Sequence, residues 1–294
     1  MSRLRVVVIT KRTAYRRFVV DERDPRAKQL LRRRDAAVSS WKDSHEEHVR
    51  TLESVESVLA KAGAQVLLVE RAHAAFDASD AELVIAVGGD GTLLAASHSV
   101  GRVPILGVNS APRHSVGFFC AGTRTTFRGL LDRALAGTLK SARLTRMSVA
   151  VNGRVRSNRV LNEALYCHAS PAATSRYILA HGRTSEEQRS SGLWIGPAAG
   201  STAAQHSAGG RILPLTSKKL QLVVREPYTP SGRRYRLTKF LVGEEDSVNV
   251  DSKMDNAEVF VDGPYRHFPV RLGDGVSFRV SNEPLTVLGL GGKR

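Results

Sequence analysis

The stretch from Leu83 to Ala96 constrains the fold more than any other part of the chain. The apolar run at residues 83–87 is typical of a strand that is buried on both faces, and Thr92 opens a segment with helical character. Three glycines and one acid, Gly88-Gly89-Asp90-Gly91, therefore lie in a turn from a strand to a helix. Because ligands bind at the carboxyl ends of parallel strands, this turn is a candidate binding loop.

The composition of this loop indicates a phosphate site. Glycines let backbone N–H groups approach a phosphate, and the start of the helix adds its positive dipole end. The candidate phosphate-binding residues are Gly88, Gly89, Gly91 and Thr92. A carboxylate such as Asp90 is repelled by nearby phosphates, so its presence in this loop indicates a task. The candidate tasks are to take a proton from an attacking hydroxyl or to hold Mg²⁺. The loop has neither the Gly-Lys-Ser/Thr of a Walker A sequence nor G-x-G-x-x-G spacing, and a plain chain-reversing turn is the alternative.

The first half of the chain alternates strands and helices. Apolar runs predict strands at residues 4–9, 66–69 and 105–108, and Asn109 directly follows the last of them. A capping box, Ser44 with Glu47, predicts a helix over residues 45–62, and a second helix fits residues 125–136. This alternation predicts a parallel sheet with covered faces. His45-Glu46-Glu47-His48 lacks the H-E-x-x-H spacing of a metalloprotease and is interpreted as a solvated first turn.

Beyond residue 140 the pattern changes to short strands and tight turns. Asn152-Gly153 is a type I′ hairpin signal, and residues 259–263 and 276–280 continue the β pattern. The chain is therefore predicted to be α/β + β, with an N-terminal parallel α/β domain at 1–140. A mostly antiparallel, sandwich-like β domain is predicted at 141–282, and residues 283–294 are expected to pack back on the first domain.

Composition limits the classes of ligand and partner that are expected for this chain. Among 294 residues, 44 Lys and Arg against 28 Asp and Glu give a formal charge of +16, which favours anionic ligands. Aromatic residues make up only 6%, and no nucleic-acid module is recognisable, so no specific nucleic-acid partner is expected. Cys120 and Cys167 are too few for a disulfide framework. No apolar stretch approaches the roughly 18 residues of a membrane span, and a cytoplasmic location is predicted.

Two further stretches carry binding groups. Asn162-Glu163 follows the apolar end of a strand, and its amide and carboxylate have the reach to hold a sugar diol. Residues 188–210 are rich in Gly, Ala and Ser, which permits close approach of another backbone or of a flat ligand. A Gly/Ser linker is the alternative for this stretch, and Trp194 with Ile195 argues against it.

These residues resemble the NAD kinases, which share a G-G-D-G-T loop with diacylglycerol and sphingosine kinases. Four blocks carry the resemblance in the expected order: Gly88 to Thr92; Leu106 to Asn109 with Gly117-Phe118-Phe119; Leu161-Asn162-Glu163; and Gly200-Ser201-Thr202-Ala203 through Ser207 to Gly210. The last block is typical of NAD kinases and absent from the lipid kinases.

The resemblance implies transfer of the terminal phosphate of ATP, or of inorganic polyphosphate, to the 2′-hydroxyl of the adenosine ribose of NAD. Asp90 would be the general base, and Mg²⁺, or another divalent cation, would accompany ATP without direct protein ligands. The resemblance also implies a homodimer or homotetramer, and it implies no association with a membrane. The implied NAD-binding residues are Asp90, Gly91, Asn109, Phe118, Asn162, Glu163, Arg176, Arg189, Ser191, Thr202, Ala203, Ala204, Gln205, His206 and Ser207.

The chain departs from the bacterial pattern at two of these positions. Ser191 stands for the usual acid, and Ala204 for the usual tyrosine, so the NAD pocket is predicted to be a variant one. The alternatives are a lipid kinase that uses the same loop on a hydrophobic alcohol, and a basic nucleic-acid- or nucleotide-binding protein without catalysis. The lipid kinase would need an apolar cleft or a membrane-binding face, and no strongly amphipathic basic helix of that kind is present.

Overall fold

The chain divides into two compact units in a computed structural model that describes residues 3–70, 74–229 and 234–290. Within the described residues, the first unit comprises 3–142 and 286–290, and the second comprises 143–285. Residues 291–294 of the predicted C-terminal segment lie outside the described residues. The predicted division into domains at 1–140 and 141–282 stays a prediction.

The first unit is built on a seven-stranded sheet with the order β2-β1-β3-β4-β19-β6, and β5 pairs with β4. Labels follow chain order, and the strands are β1 (Arg5–Thr10), β2 (Gln65–Val69), β3 (Leu83–Gly88), β4 (Ile105–Asn109), β5 (Cys120–Thr123), β6 (Ser141–Leu144) and β19 (Leu285–Leu288). The helices are α1 (Pro25–Arg32), α2 (Trp41–Lys61), α3 (Asp90–Ser97) and α4 (Phe127–Leu135). Short helical turns lie at Arg16–Asp21 and Ala36–Val38.

Parallel pairing and double-sided burial confirm the predicted α/β sheet. β1 pairs in parallel with β2 and β3, and β4 pairs in parallel with β3, β5 and β19. Every residue of β3 is buried. Side chains of α2 and α4 share one apolar cluster with the central strands, as expected for a parallel sheet whose face is covered by helices. Among the described helices, none is long and apolar enough to cross a membrane.

Two helix starts differ from the sequence prediction. Helix α2 begins at Trp41, and the amide of Ser44 donates a helical hydrogen bond to the carbonyl of Ser40 at 3.0 Å. The predicted capping box is therefore wrong, because Ser44 is already inside the helix. His48 on this helix is only 4% exposed, so the interpretation as a solvated first turn is wrong for it. Helix α3 begins at Asp90, two residues before the predicted start.

The second unit consists of two six-stranded antiparallel sheets. One has the order β11-β10-β15-β18-β7-β8, and the other β14-β13-β12-β9-β16-β17. The strands are β7 (Met147–Val151), β8 (Arg154–Val160), β9 (Ala164–His168), β10 (Ser175–His181), β11 (Thr184–Ser190), β12 (Leu193–Pro197), β13 (Leu220–Val224), β14 (Lys239–Val242), β15 (Ser247–Ser252), β16 (Ala257–Val261), β17 (His267–Val270) and β18 (Gly275–Val280). A short 3₁₀ turn, Ala198–Thr202, and the one-turn helix α5 (Ala204–Ser207) follow β12.

A single apolar cluster joins the two sheets into a sandwich. Tyr177 and Phe278 come from one sheet, Tyr166 and Ile195 come from the other, and all four are buried in that cluster. The hairpin between β7 and β8 turns at Asn152 and Gly153, with φ of 50° and 73°. Positive φ at both positions is what a type I′ turn requires, so that turn prediction is confirmed. The α/β + β fold class is confirmed as well.

Substituting Gly107 tests the packing at the centre of the first sheet. A Cβ there would lie 2.7 Å from the Phe119 carbonyl oxygen and 2.9 Å from Cys120 Cα, so backbone would have to move. We expect G107A to lower the free energy of unfolding by about 1–3 kcal/mol, measured by urea denaturation. The matched control is G129A, at an exposed position of α4 where a Cβ meets nothing within 4 Å. Alanine has a higher helix propensity than glycine, so this substitution should raise stability. Equal stability of G107A and wild type would contradict the described packing.

Candidate active site

The predicted site residues fall into two groups, one in each unit. The first unit holds Gly88 to Thr92, Asn109 and Phe118. The second unit holds Asn162, Glu163, Arg176, Arg189, Ser191 and residues 202–207. Each group forms a defined local arrangement.

Asp90 is the first residue of α3, directly after Gly89 at the helix N-cap. Its Oδ2 accepts a hydrogen bond from the backbone N–H of Phe118 at 3.0 Å, and its Oδ1 accepts one from Phe119 at 2.8 Å. Because a carboxylate has about four acceptor positions, two hydrogen bonds fix its orientation and leave room for a further donor. The carboxylate is thus held rigidly at the start of a helix.

Close packing explains two glycines of this loop. A Cβ on Gly88 would overlap Thr92 Oγ1, and one on Gly89 would overlap Ser115 Oγ. A Cβ on Gly91 meets nothing within 4 Å. The neighbouring thiol of Cys120 is kept protonated, since burial and then the Asp90 charge raise its pKa to about 12. The loop therefore presents backbone and one carboxylate, without a thiolate.

Asn109 ends β4 and shapes the loop that follows. Its Nδ2 donates to the Ser115 carbonyl at 3.0 Å, its Oδ1 accepts from the Ala111 amide at 3.2 Å, and only 5% of the residue is exposed. Both groups of the side-chain amide are therefore used within the chain. The predicted contribution of Asn109 to a ligand site stays a prediction, and the geometry favours an indirect one through the loop that carries Phe118.

In the second unit, Asp262 holds the predicted Asn162-Glu163 pair in place. Its Oδ1 accepts hydrogen bonds from the amides of Asn162 at 2.7 Å and Glu163 at 3.1 Å, and its Oδ2 accepts from Leu161 at 2.9 Å. The amide of Asp262 in turn donates to the Glu163 carbonyl at 3.0 Å. Sequence reasoning saw Asp262 only as part of a hairpin, because no local pattern shows that it binds a segment 100 residues away.

The side chain of Glu163 is unusual among the described residues. Its Oε2 is buried and has no hydrogen-bond partner there. Burial, followed by the charge of Asp262, raises the pKa of Glu163 to about 8. At neutral pH its carboxyl is therefore mostly protonated, and such a group both donates and accepts a hydrogen bond. An alcohol or diol supplies matching partners for a group of this kind.

Small residues bring the Gly/Ala/Ser-rich segment onto the backbone of Asn162. A Cβ on Gly200 would overlap the Asn162 carbonyl, and one on Gly196 would overlap the same oxygen. Gln205 is fully buried, its Nε2 donates to that carbonyl at 3.3 Å, and its Oε1 accepts from Gln221 Nε2 at 3.3 Å. Its side chain is thus structural. Ala203, Ala204 and Ser191 are partly buried, while the exposed members of the group are Thr202, His206 and Ser207.

Arg176 and Arg189 lie directly opposite each other on β10 and β11, and both are exposed. Like charges in directly opposed positions destabilise a sheet. A bound anion would offset this repulsion, so the pair is consistent with an anionic ligand. No group of three His, Cys, Asp or Glu side chains in the described ranges could hold a metal ion, and the predicted lack of direct protein ligands to a metal stays a prediction.

Comparisons with known proteins agree on one family. A family model described as the ATP-NAD kinase N-terminal domain matches residues 10–139. A probable NADH kinase of Oryza sativa subsp. japonica is 35% identical over 249 residues, which cover 77% of this chain and 77% of that protein. A NAD kinase of Shewanella frigidimarina is 31% identical over 218 residues, 70% of this chain and 67% of that protein.

A solved structure shares the fold. The crystal structure of an NAD kinase from Archaeoglobus fulgidus in complex with ATP aligns with a TM-score of 0.69 at 19% identity. The alignment covers 97% of this chain and 93% of that one. It supports the fold described above for both units.

The raised pKa of Glu163 predicts a pH-dependent stability. The folded state keeps its proton up to a pKa of about 8, whereas the unfolded state releases it near 4.5. Wild type is therefore predicted to lose stability relative to E163Q as pH rises from about 4.5 to about 8, with no further loss above that. Thermal melting of both proteins at pH 5, 7 and 9 measures this difference, and exposed E53Q on α2 is the matched control. A difference that is independent of pH would contradict the described environment of Glu163.

Proposed function

Because the chain belongs to the NAD kinase family, we propose that it phosphorylates the 2′-hydroxyl of the adenosine ribose of NAD, with ATP as the phosphate donor. The observation that carries the proposal is the fixed Asp90 carboxylate, which sits in a glycine loop at the carboxyl end of β3. Ligands of open α/β sheets bind at such ends.

Asp90 is proposed as the general base. Phosphoryl transfer depends mainly on positioning and on charge stabilisation, so an ordinary carboxylate suffices to accept the hydroxyl proton. The amides of Phe118 and Phe119 hold both oxygens, which limits the carboxylate to a narrow range of orientations. Their N–H groups also compensate its negative charge beside the phosphates of a donor.

Magnesium is proposed to arrive with the donor. Mg²⁺ usually keeps several waters and binds through substrate phosphates and one or two carboxylates. The residues present fit an ion held by the donor phosphates, since Asp90 is the single carboxylate of the glycine loop and is assigned to the hydroxyl proton. When bound, the ion would offset the negative charge of the donor phosphates.

Asn162 and Glu163 are proposed to hold the adenosine part of NAD. The buried Oε2 of Glu163, which has no hydrogen-bond partner among the described residues, supports this assignment, because a ribose hydroxyl would satisfy it. The opposed pair Arg176 and Arg189 is proposed to contact an anionic part of the dinucleotide. Thr202, His206 and Ser207 offer exposed side chains from the 202–207 segment, whereas Gln205 supports that segment from within.

The proposals for the redox state of the acceptor and for the assembly state come from the names of the relatives and from the family resemblance. The rice relative is named a probable NADH kinase and the Shewanella relative a NAD kinase, so NADH is the second acceptor to test. A homodimer or homotetramer in the cytoplasm, and inorganic polyphosphate as a second donor, are proposed from the family resemblance.

The direct test is an assay of NADP⁺ formation from NAD⁺ and ATP with Mg²⁺, repeated with NADH and with polyphosphate. Formation of the phosphorylated dinucleotide supports the proposal, and the relative rates define acceptor and donor. Turnover of neither NAD⁺ nor NADH with either donor would contradict it.

The D90N variant tests the assigned base. Asparagine cannot accept the proton, so we expect turnover to fall by roughly 10²–10⁴-fold. Its amide also replaces one acceptor facing Phe118 or Phe119, so thermal melting must accompany the kinetics to show that the variant is folded. D132N is the matched control, since Asp132 is exposed on α4 and pairs only with Arg128 at 3.2 Å among the described residues. Near-normal turnover of folded D90N would contradict the role of Asp90.

A further inference from the structure

A cavity of the first unit lies beside the end of β1, and no residue assigned above to the proposed function lines it. Its volume is about 280 Å³. Its polar lining includes Thr10, Lys11, Arg12, Arg16, His45 and His48. These side chains come from the end of β1, the segment after it and the first turns of α2. The cavity is therefore at the same edge of the sheet as the glycine loop.

The strand register places Lys11 next to that loop. Thr10 pairs with Val87 in the parallel ladder between β1 and β3. Lys11 follows Thr10 and Gly88 follows Val87, so Lys11 and Gly88 lie at the same height along the two neighbouring strands. Neighbouring strands lie about 4.8 Å apart, so the backbones of Lys11 and Gly88 are close at this edge of the sheet. The side chain of Lys11 lines the cavity, which therefore lies next to the strand that leads into the glycine loop.

Among the described residues that line this cavity, Lys11 is the cation without an ion pair. Arg12 pairs with Asp21 at 2.8 Å, and Arg16 pairs with Glu70 at 3.3 Å. Lys11 is partly buried and makes no hydrogen bond or ion pair within the ranges that the structure describes. Burial lowers its pKa, and the charge of Glu47 opposes that effect. A partly buried ammonium without a partner is costly unless a ligand supplies the anion.

His48 fixes the end of β1 without adding charge. Its Nε2 lies 2.8 Å from Thr10 Oγ1, and its Nδ1 lies 2.8 Å from Ser110 Oγ at the end of β4. Burial lowers the pKa of His48 to about 4, and the positive charges of Lys11, His45 and Arg16 contribute. The imidazole is therefore neutral at physiological pH. Asp21 and Glu70 also line the cavity and neutralise Arg12 and Arg16, so among the described lining residues the remaining positive charge is that of Lys11.

From the position of Lys11, its missing partner and the cavity beside it, we propose that this cavity is a subsite for the phosphate chain of the phosphoryl donor, with Lys11 as the side chain that binds it. The subsite rests on the proposed kinase function for its role in turnover. Its ligand class is a polyphosphate chain, whether carried by a nucleoside triphosphate or free. Binding of such a chain is measurable without any dinucleotide.

The test titrates inorganic tripolyphosphate into the full chain by calorimetry at 0.15 M salt, without dinucleotide. Loss of one charge-assisted contact predicts affinity roughly 10- to 100-fold lower for K11M than for wild type. K42M is the matched control: Lys42 is also on the first unit, its side chain is 67% exposed, and it pairs with Glu46 at 3.9 Å. K42M is expected to bind like wild type. Equal affinity of K11M and K42M would overturn the proposal, because the attraction would then be the general effect of a basic surface.

Two further measurements keep the outcome decisive. K11R retains the charge and is expected to bind tripolyphosphate within a few-fold of wild type, so a loss equal to that of K11M overturns the assignment.

In turnover, K11M is expected to raise the KM for ATP and to leave the KM for NAD nearly unchanged. A rise confined to the KM for NAD would overturn the assignment to the donor, since the lysine would then contact the pyrophosphate of the acceptor. Absence of turnover in wild type contradicts the kinase proposal alone, because the binding measurement does not depend on it.

Discussion

The hydrogen bonds from the Phe118 and Phe119 amides to Asp90 organise the edge of the first unit at which β3 and β4 end. They join the start of α3, which follows β3, to the loop that follows β4. Two segments that are separate in sequence therefore meet at one carboxylate. Asn109 stabilises the same loop from its other end, through Ser115 and Ala111. The glycines then supply close packing, as Gly89 shows against Ser115. The position of the carboxylate is therefore a property of the whole edge of the sheet.

In the second unit, too, a carboxylate accepts hydrogen bonds from backbone amides. The carboxylate of Asp262 accepts three backbone amides of residues 161–163, and this fixes the segment that carries Glu163. Burial beside Asp262 raises the pKa of Glu163, and one oxygen of Glu163 has no partner within the part of the chain that the structure describes. Buried polar atoms of this kind are rare because each costs free energy. The carboxylate of Asp262 thus satisfies the backbone, and the carboxyl of Glu163 is the group proposed to meet a ligand.

Sequence reasoning found the features that are local. The buried strand β3, its glycine loop and the Asn152-Gly153 hairpin each follow from a few neighbouring residues, and all of them are present. The start of α2 was missed because the apolar period begins only at Val49, after the helix has already formed. The burial of His48, the contact of Asp262 with residues 161–163 and the position of Lys11 depend on partners 38 to 101 residues away or on strand register. No window of sequence contains those partners.

The contact of Gly196 and Gly200 with the Asn162 carbonyl separates shape from recognition in the second unit. Backbone meets backbone there, so the path of the chain is set by residues that have no side chain to exchange. Thr202, His206 and Ser207 lie outside that contact and are exposed. Substitution of these three side chains is therefore expected to leave the scaffold beneath them unchanged. The glycines set the path of the chain, and under the proposed function the exposed positions are the ones where a substitution can change the preference for one ribose-bearing acceptor over another.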